Sequence, residues 1–575
     1  MKEELYMNKK TIIRTLEKIA LYLELQGENP FKVSAFRKAA AALEADERSL
    51  AEMDDVTKLK GIGKGTAAVI TELVDTGVSS VLQELEEKTP KGLVPLMKLP
   101  GLGGKKLAKL YQELGIDSAE SLQAACEAGR VQQLAGFGAK TEDKILKELA
   151  NFGKRAERLP IWQLEPAVIE IEALLAAMPQ VETSSVAGSF RRVSESSKDI
   201  DFIVATNVPQ TVREQLLERL AVLEVVAAGD TKVSVVLDRE EPISVDFRLV
   251  TAAEYASALH HFTGSKDHNV RMRQLAKSMG KKISEYGVEQ EDGSIVTFTS
   301  EEEFFAHFNL PFIPPTVRES GSELDRLDEL TQLATVTDIK SDLHMHTTWS
   351  DGAHSVAEMG EALIKKGYSH AVITDHSQYL KVANGLTPER LQKQRVEIDA
   401  FNETNPSFHL YAGTEMDILP DGSLDFDDTV LKELDFVIAS IHSSFSQPQE
   451  QIMARLETAM SNPYVHMIAH PTGRIVGERP GYDPDVKTLI EWAKAYDKIL
   501  ELNANPYRLD LAVEHLQYAM ELGVKIAINT DAHAIDQLRF MDLGVRYSQK
   551  AWVKKELIVN TWTLEQFEAF IRKHK

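Results

Sequence analysis

The sequence predicts a multidomain chain of mixed class: a helical N-terminal region, an α+β middle and an α/β C-terminal region of the barrel type. Three observations predict it. A Gly-x-Gly turn leading into an amphipathic helix occurs three times before residue 150. The segment KDIDFIV near residue 200 alternates polar and apolar, which is strand periodicity with two aspartates on one face. From residue 341 onward, strand-like runs alternate with helical stretches and end in His, Asp or Glu.

Composition sets the limits. A chain of 575 residues with 43% hydrophobic content holds packed cores and roughly three to five domains. No apolar run of about 18 residues occurs, so no membrane span is expected. The opening MKEELYMNKK is charged and lacks the apolar segment of a signal peptide. Cys126 is the single cysteine, which excludes an internal disulfide and fits a reducing cytoplasm. The net charge of −23 argues against nucleic acid until its distribution is read. Residues 1–150 carry 22 Lys+Arg against 23 Asp+Glu, residues 151–330 carry 19 against 30, and residues 331–575 carry 24 against 35. The acid lies outside the first quarter, where carboxylates can hold cations that in turn hold phosphate. Twelve of the 16 histidines lie from His344 onward, which marks a separate C-terminal domain with metal chemistry.

The three turns are KLKGIGKGTAAVITEL (58–73), KLPGLGGKKLAKLYQEL (98–114) and QLAGFGAKTEDKILKEL (133–149). Their glycine pairs are Gly61/Gly63, Gly101/Gly103 and Gly136/Gly138. The first glycine permits a tight turn, and the second lets a phosphate approach the backbone. The following helix offers free N–H groups and its positive dipole end. The pattern resembles the helix-hairpin-helix motif, which grips DNA backbones without reading bases. A single copy would equally be a plain glycine-capped turn; three copies favour DNA binding. Lys64 and Lys32 are the expected phosphate contacts beside the first turn.

In the middle region, Asp199 and Asp201 share a strand face, and ISVDFRLV (243–250) offers Asp246. Three carboxylates from two adjacent strands can hold two divalent ions about 3.5–4 Å apart. Upstream, the Gly188–Ser189 turn can meet a phosphate that Arg191 and Arg192 neutralise. GSFRR, then DID, then a lone Asp on a later strand resembles the palm of the family X DNA polymerases, the DNA polymerase beta group. HHFTGSKDHNVRMRQLA (260–276) resembles that family's nucleotide-binding segment, and the resemblance covers roughly residues 10–315. It implies Mg2+ ligands at Asp199, Asp201 and Asp246, with Asp246 activating the primer 3′-hydroxyl. It implies triphosphate contacts at Ser189 and Arg192, and a nucleotide and template pocket lined by Phe262, Gly264, Asn269 and Arg273. Where the family has a tyrosine before that Phe, this chain has His261.

The C-terminal strand-like runs are SDLHMH (341–346), HAVITDHS (370–377), HLYAGTEMDI (409–418), FVIASIHSS (436–444), VHMIAHPTGR (465–474), ILELNAN (499–505) and KIAINTDAH (525–533). They place His344, His346, Asp351, His376, Glu415, His442, His470, Asp531 and His533 at or just past strand ends. These ligands are too many for one ion and suit two or three clustered Mn2+, Zn2+ or similar ions. HMHTTWSDG, TDH, GTE, IH, HPTGR and TDAH resemble the metal motifs of the PHP domain, over about 338–570. Arg474 of HPTGR is expected to meet substrate phosphate. His354, His370, His409, His466 and His515 stay unassigned, because a lone histidine is more often a satisfied core residue.

Together these resemblances imply a bacterial family X polymerase with a C-terminal PHP domain. The expected organisation is a helical DNA-binding domain (1–90), a second helix-hairpin-helix domain (91–155), palm (156–253), thumb (254–315), linker (316–337) and a distorted (β/α) barrel (338–575). The expected activities are gap-filling synthesis, 3′→5′ exonuclease, cleavage at abasic sites and removal of blocked 3′ ends. The expected partners are dNTPs and gapped, primer-template or abasic-site DNA. A monomer in the bacterial cytoplasm, on the nucleoid, is expected. Two rivals are a phosphoesterase for small metabolites and a DNA-binding scaffold; the three DNA-grip turns oppose the first and the full ligand sets the second. Polymerase beta-like enzymes often carry a Schiff-base lysine eight residues beyond the first turn glycine. Here that position is Val69, so no efficient lyase is expected.

Overall fold

The computed structural model describes residues 9–45, 56–76, 78–97, 99, 102–149 and 158–574. The chain forms two compact units, Met1–Glu157 with Lys381–Asn384, and Arg158–Leu380 with Gly385–Lys575.

The first unit is helical. Ile12, Leu16, Ile19 and Leu23 recur at helical spacing along Lys9–Leu25 and bury one stripe against Phe36, Leu43, Ile70 and Leu73. Leu85 closes this core, and Leu93 opens a second one with Leu107, Leu110, Leu122 and Ile145. The helices Lys64–Thr76, Gly104–Leu114 and Ala139–Leu149 each follow one of the glycine turns.

The second unit begins with a five-stranded sheet. Its order is Thr183–Val186, Ile200–Ala205, Ile243–Val250, Lys232–Leu237, Val222–Ala228. Ile200–Ala205 runs parallel to Ile243–Val250, and the other pairs are antiparallel. In ISVDFRLV burial alternates residue by residue, so Val245 and Phe247 enter the core while Asp246 and Arg248 face the opposite side. Two helices, Tyr255–Thr263 and Lys266–Ser278, and a three-stranded antiparallel sheet follow, packed on Phe298, Phe304, Phe305 and Phe308.

The stretch 316–337, expected as a linker, is packed instead. Arg318 is fully buried and pairs with Glu301 at 2.6 Å, and Glu323 accepts from His268 at 2.7 Å. Val317 and Leu333 join the phenylalanine core. It is built of short 3-10 turns rather than regular helix, and these pack without freeing the chain.

Seven parallel strands follow in chain order: Ser341–Asp342, His370–Ile373, His409–Asp417, Phe436–Ser440, Met467–Ile468, Ile499–Asn503 and Lys525–Asn529. Their residues are buried on both faces, as in FVIAS, because helices cover the outside. A bridge between Met345 and Ala532 joins the two ends, so the sheet nearly closes into a barrel. Among the described residues no helix is long and apolar enough to cross a membrane.

Candidate active sites

In the sheet site, Asp201 and Asp246 stand opposite each other in the register of two parallel strands, and Asp199 precedes the first. Gly188 adopts φ +61°, and a Cβ there would lie 2.3 Å from Asp201 Oδ2, so only glycine lets the turn approach this carboxylate. Burial first, then the like charges of Asp199 and Asp246, push the Asp201 carboxyl up to about 7. Lys232 Nζ reaches Asp246 at 2.7 Å and supplies the nearest compensating charge. A cluster of three carboxylates only partly offset by Lys232 fits divalent cations, which would relieve the repulsion.

The Ser189 hydroxyl bonds to Ser197. Arg192 bonds to the Thr263 carbonyl and pairs with Glu319 at 3.3 Å. Gly264 lies beside Arg192, since a Cβ there would sit 3.3 Å from its Nη1. Phe262 lies under Arg248, guanidinium to ring centre 4.6 Å. Asn269 donates to the His261 carbonyl at 2.8 Å, and exposed Arg273 is one turn further along the same helix. The residues implied for nucleotide binding thus sit on consecutive elements beside the carboxylates.

In the barrel, every expected ligand converges at the strands' C-terminal ends. Three groups have ligand atoms within 4.8 Å of one another: His346, Asp351, His376 and His533; His344, His346 and Asp531; and His376, Glu415 and His442. His470 Nε2 joins the last group at 2.8 Å from Glu415 Oε1. Glu415 lies among these groups, with oxygens 3.4 Å from His344, 3.5 Å from His346 and 2.9 Å from His376. Burial alone would raise the Glu415 carboxyl, but the imidazoles of His442, His344 and His376 hold it well below its ordinary range. Burial, then neighbouring His533 and His376, push His346 down to about 3. An ionised Glu415 and a neutral His346 are in the state that metal binding needs, and a bound cation would displace the proton that neighbouring carboxylates favour on His442. Moreover, the buried Nδ1 of His346 has no hydrogen-bond partner, so the donor set fits divalent ions.

Sequence reasoning missed the carboxylates behind these ligands. Glu501 accepts from His344 Nδ1 at 2.7 Å, from the His470 backbone at 2.6 Å and from Asn529 at 2.9 Å. Asp417 lies 3.2 Å from His442 Nδ1, and against its burial Glu415 and Asp417 push that imidazole up to about 10. Asp375 accepts from the Thr347 hydroxyl and from both backbone and hydroxyl of Ser350, fixing the loop that carries Asp351. The available signal was a charged residue inside an otherwise apolar strand, as in ILELN.

Arg474 departs from expectation. Its guanidinium is taken by Glu195 at 2.8 Å, by the Arg508 carbonyl at 3.1 Å and by the Leu509 carbonyl. The cation that faces the cluster is Arg508, whose Nε is 3.5 Å from Asp531 Oδ2. Arg474 is held back because HPTGR turns toward the sheet, where Glu195 offers a half-buried counter-charge.

In the first unit, a Cβ at Gly63, Gly103 or Gly138 meets nothing within 4 Å among the described residues. Gly61 and Gly136 have φ of +117° and +93°. Gly101 lies outside the described residues. Lys64 is exposed at the start of its helix, Lys32 pairs with Glu28 at 3.4 Å, and Val69 is only 4% exposed in the core.

Comparison with known proteins matches residues 7–79 to a helix-hairpin-helix domain, and 53–115 and 93–151 to a SAM-like helix-hairpin-helix tandem. Residues 258–319 match the DNA polymerase beta thumb and 342–505 the PHP domain. The chain is 58% identical over 569 residues, 99% of its length and 100% of the relative's, to the DNA polymerase/3'-5' exonuclease PolX of Bacillus subtilis. The chain belongs to the PolX family, the bacterial family X DNA polymerases with a C-terminal PHP domain. Other relatives match only part of this PolX-family chain. A probable phosphatase of Thermoanaerobacter sp. is 28% identical over 38% of the chain and 89% of the relative. One from Acetivibrio thermocellus is 29% identical over 41% and 95%.

Proposed function

We propose that the chain is a DNA polymerase that fills gaps during repair and carries a 3′→5′ exonuclease in its PHP barrel. The supporting observation is full-length identity to a relative named for both activities, in a chain that holds both carboxylate-rich sites. The short matches to probable phosphatases favour a phosphoesterase chemistry in the barrel, and the matched polymerase thumb and hairpin motifs direct it to DNA.

In the palm, Asp199, Asp201 and Asp246 would hold two Mg2+, and in the barrel the nine His, Asp and Glu residues would hold two or three Mn2+, Zn2+ or similar ions. Such ions, when bound, polarise phosphoryl oxygens and generate nucleophiles at neutral pH. Asp246 takes the proton of the primer 3′-hydroxyl. Ser189 and Arg192 hold the incoming triphosphate, and Phe262, Gly264, Asn269 and Arg273 shape the pocket for base and sugar. Glu501, Asp417 and Asp375 orient the barrel's ligands, and Arg508 meets the scissile phosphate in place of Arg474. The glycine turns, with Lys32 and Lys64, hold the DNA backbone. Abasic-site incision and trimming of blocked 3′ ends belong to the barrel. The enzyme acts as a cytoplasmic monomer on the nucleoid.

The test is extension of a primer across a one-nucleotide gap, with and without dNTPs, in Mg2+ and in Mn2+. Extension with dNTPs and 3′→5′ shortening without them are expected. Absence of both would sink the proposal, and turnover of sugar phosphates alone would favour the metabolic phosphatase.

A further inference from the structure

The turn Gly188–Glu195, which carries Ser189 and Arg192, is held on its far side by the barrel helix Phe540–Lys550. Arg546 Nη2 donates to the Arg191 carbonyl at 2.7 Å, and Lys550 Nζ donates to the Arg192 carbonyl at 3.2 Å. Two consecutive peptide groups of the turn thus rest on two cations of the barrel. Val193, between them and Glu195, is fully buried in the barrel's own core. Glu195 is bound by Arg474 and by the Tyr547 hydroxyl, which anchors the turn's end.

Lys550 does more than cement the joint. It pairs with Glu319, the same carboxylate that pairs with Arg192, and its side chain is only 13% exposed. When Arg192 turns to a triphosphate it must leave Glu319. Left without a partner, this carboxylate, 40% exposed, would draw Arg192 back, and Lys550 prevents this because it stays.

We propose that Lys550 and Arg546 are positioning residues for nucleotide binding, supplied to the polymerase site by the PHP barrel. They act through Arg192 and the turn, and do not touch the nucleotide. This rests on the assignment of Ser189 and Arg192 to the triphosphate.

The experiment uses the full-length protein and measures KM and kcat for a dNTP in one-nucleotide gap filling, with exonuclease rate and melting temperature alongside. Lys550→Met should raise KM roughly tenfold and change kcat by less than about twofold. Lys550→Arg should restore most of the affinity, and Arg546→Met should raise KM through the turn alone. Adding Glu319→Gln to Lys550→Met should lower KM again, because the stranded charge is gone. Exonuclease rates should stay at wild type throughout. If Arg192→Met raises KM and Lys550→Met does not, the positioning role is wrong while the triphosphate assignment stands. If Arg192→Met leaves KM unchanged, the assignment itself fails and the inference with it. Equal loss of both activities with a lowered melting temperature would reduce Lys550 to domain cement and overturn the proposal.

Discussion

Glu501 sits 2.7 Å behind His344, on the imidazole nitrogen that faces away from the ligand cluster. The contact fixes the ring's orientation and tautomer and raises the basicity of the other nitrogen. Glu501→Gln keeps the shape and loses the charge. Metal affinity of the barrel should fall about 10- to 100-fold, read by calorimetric titration of the metal-free protein. Gap filling in Mg2+ should not change. Undiminished affinity would mean that Glu501 only fills space.

The two chemistries should separate by mutation. Asp201→Ala removes a carboxylate that faces Asp246 and should abolish nucleotide addition while 3′→5′ shortening persists. His346→Ala, which leaves two ligand groups incomplete, should do the reverse. Extension surviving Asp201→Ala would refute the palm assignment.

Gly63 has ordinary backbone geometry and no described residue within 4 Å of an added Cβ, so Gly63→Val should fold. Its side chain would still stand where a phosphate approaches. DNA affinity should weaken, with a shallower dependence on salt as one backbone contact is lost. Wild-type binding across a salt titration would remove this turn from the DNA interface.

A pH effect is expected from the thumb. His260 and His268 are buried, with Nε2 atoms 3.1 Å apart, among Arg318, Arg191, Glu301 and Glu323. Burial, and for His260 the neighbouring His268, lowers both imidazoles below their ordinary range. The unfolded chain, titrating near 6.5, therefore binds protons that the folded chain refuses. Stability is fully present above about pH 6.5 and falls as pH drops below it. His260→Gln keeps a hydrogen-bond partner and cannot take a proton. Its unfolding free energy, measured by denaturant titration, should fall less steeply from pH 7 to 5, by up to about 1.4 kcal/mol per pH unit. Parallel curves would show that His260 does not titrate in this range.

Val69 packs in the first core and offers no amine. Borohydride should trap no strong adduct on 5′-deoxyribose phosphate DNA. Incision at an abasic site should be sensitive to chelator and lost in His344→Ala. An adduct that disappears in Lys64→Ala or Lys32→Ala would reverse this.

The barrel was legible because chemistry repeats locally: HMH and DAH put two ligands just past the end of one strand, and each strand has its own apolar run. The palm was legible for the same reason in DID. Glu501 and Asp417 were harder, since a buried carboxylate in a strand declares its partner only when another strand brings a histidine to it. The joint was not legible at all. Glu195, Arg474 and Tyr547 meet from three distant segments, and HPTGR alone gave no sign that its arginine turns toward the sheet. The stretch 316–337 misled in the opposite way, because the prolines just before it suggested a linker while Val317, Arg318 and Leu333 pack.

The barrel closes where Met345 bridges to Ala532, so its first ligands and its last come from opposite ends of the domain. His344 and His346 leave the ribosome nearly two hundred residues before Asp531 and His533 exist to face them. A nascent chain, or one truncated before its seventh strand, therefore lacks the residues that complete two of the three ligand groups. The helix that braces the polymerase turn is made later still, at Phe540–Lys550. Synthesis order thus leaves the barrel's ligand set and the brace on the polymerase turn unfinished until almost the whole chain has been made.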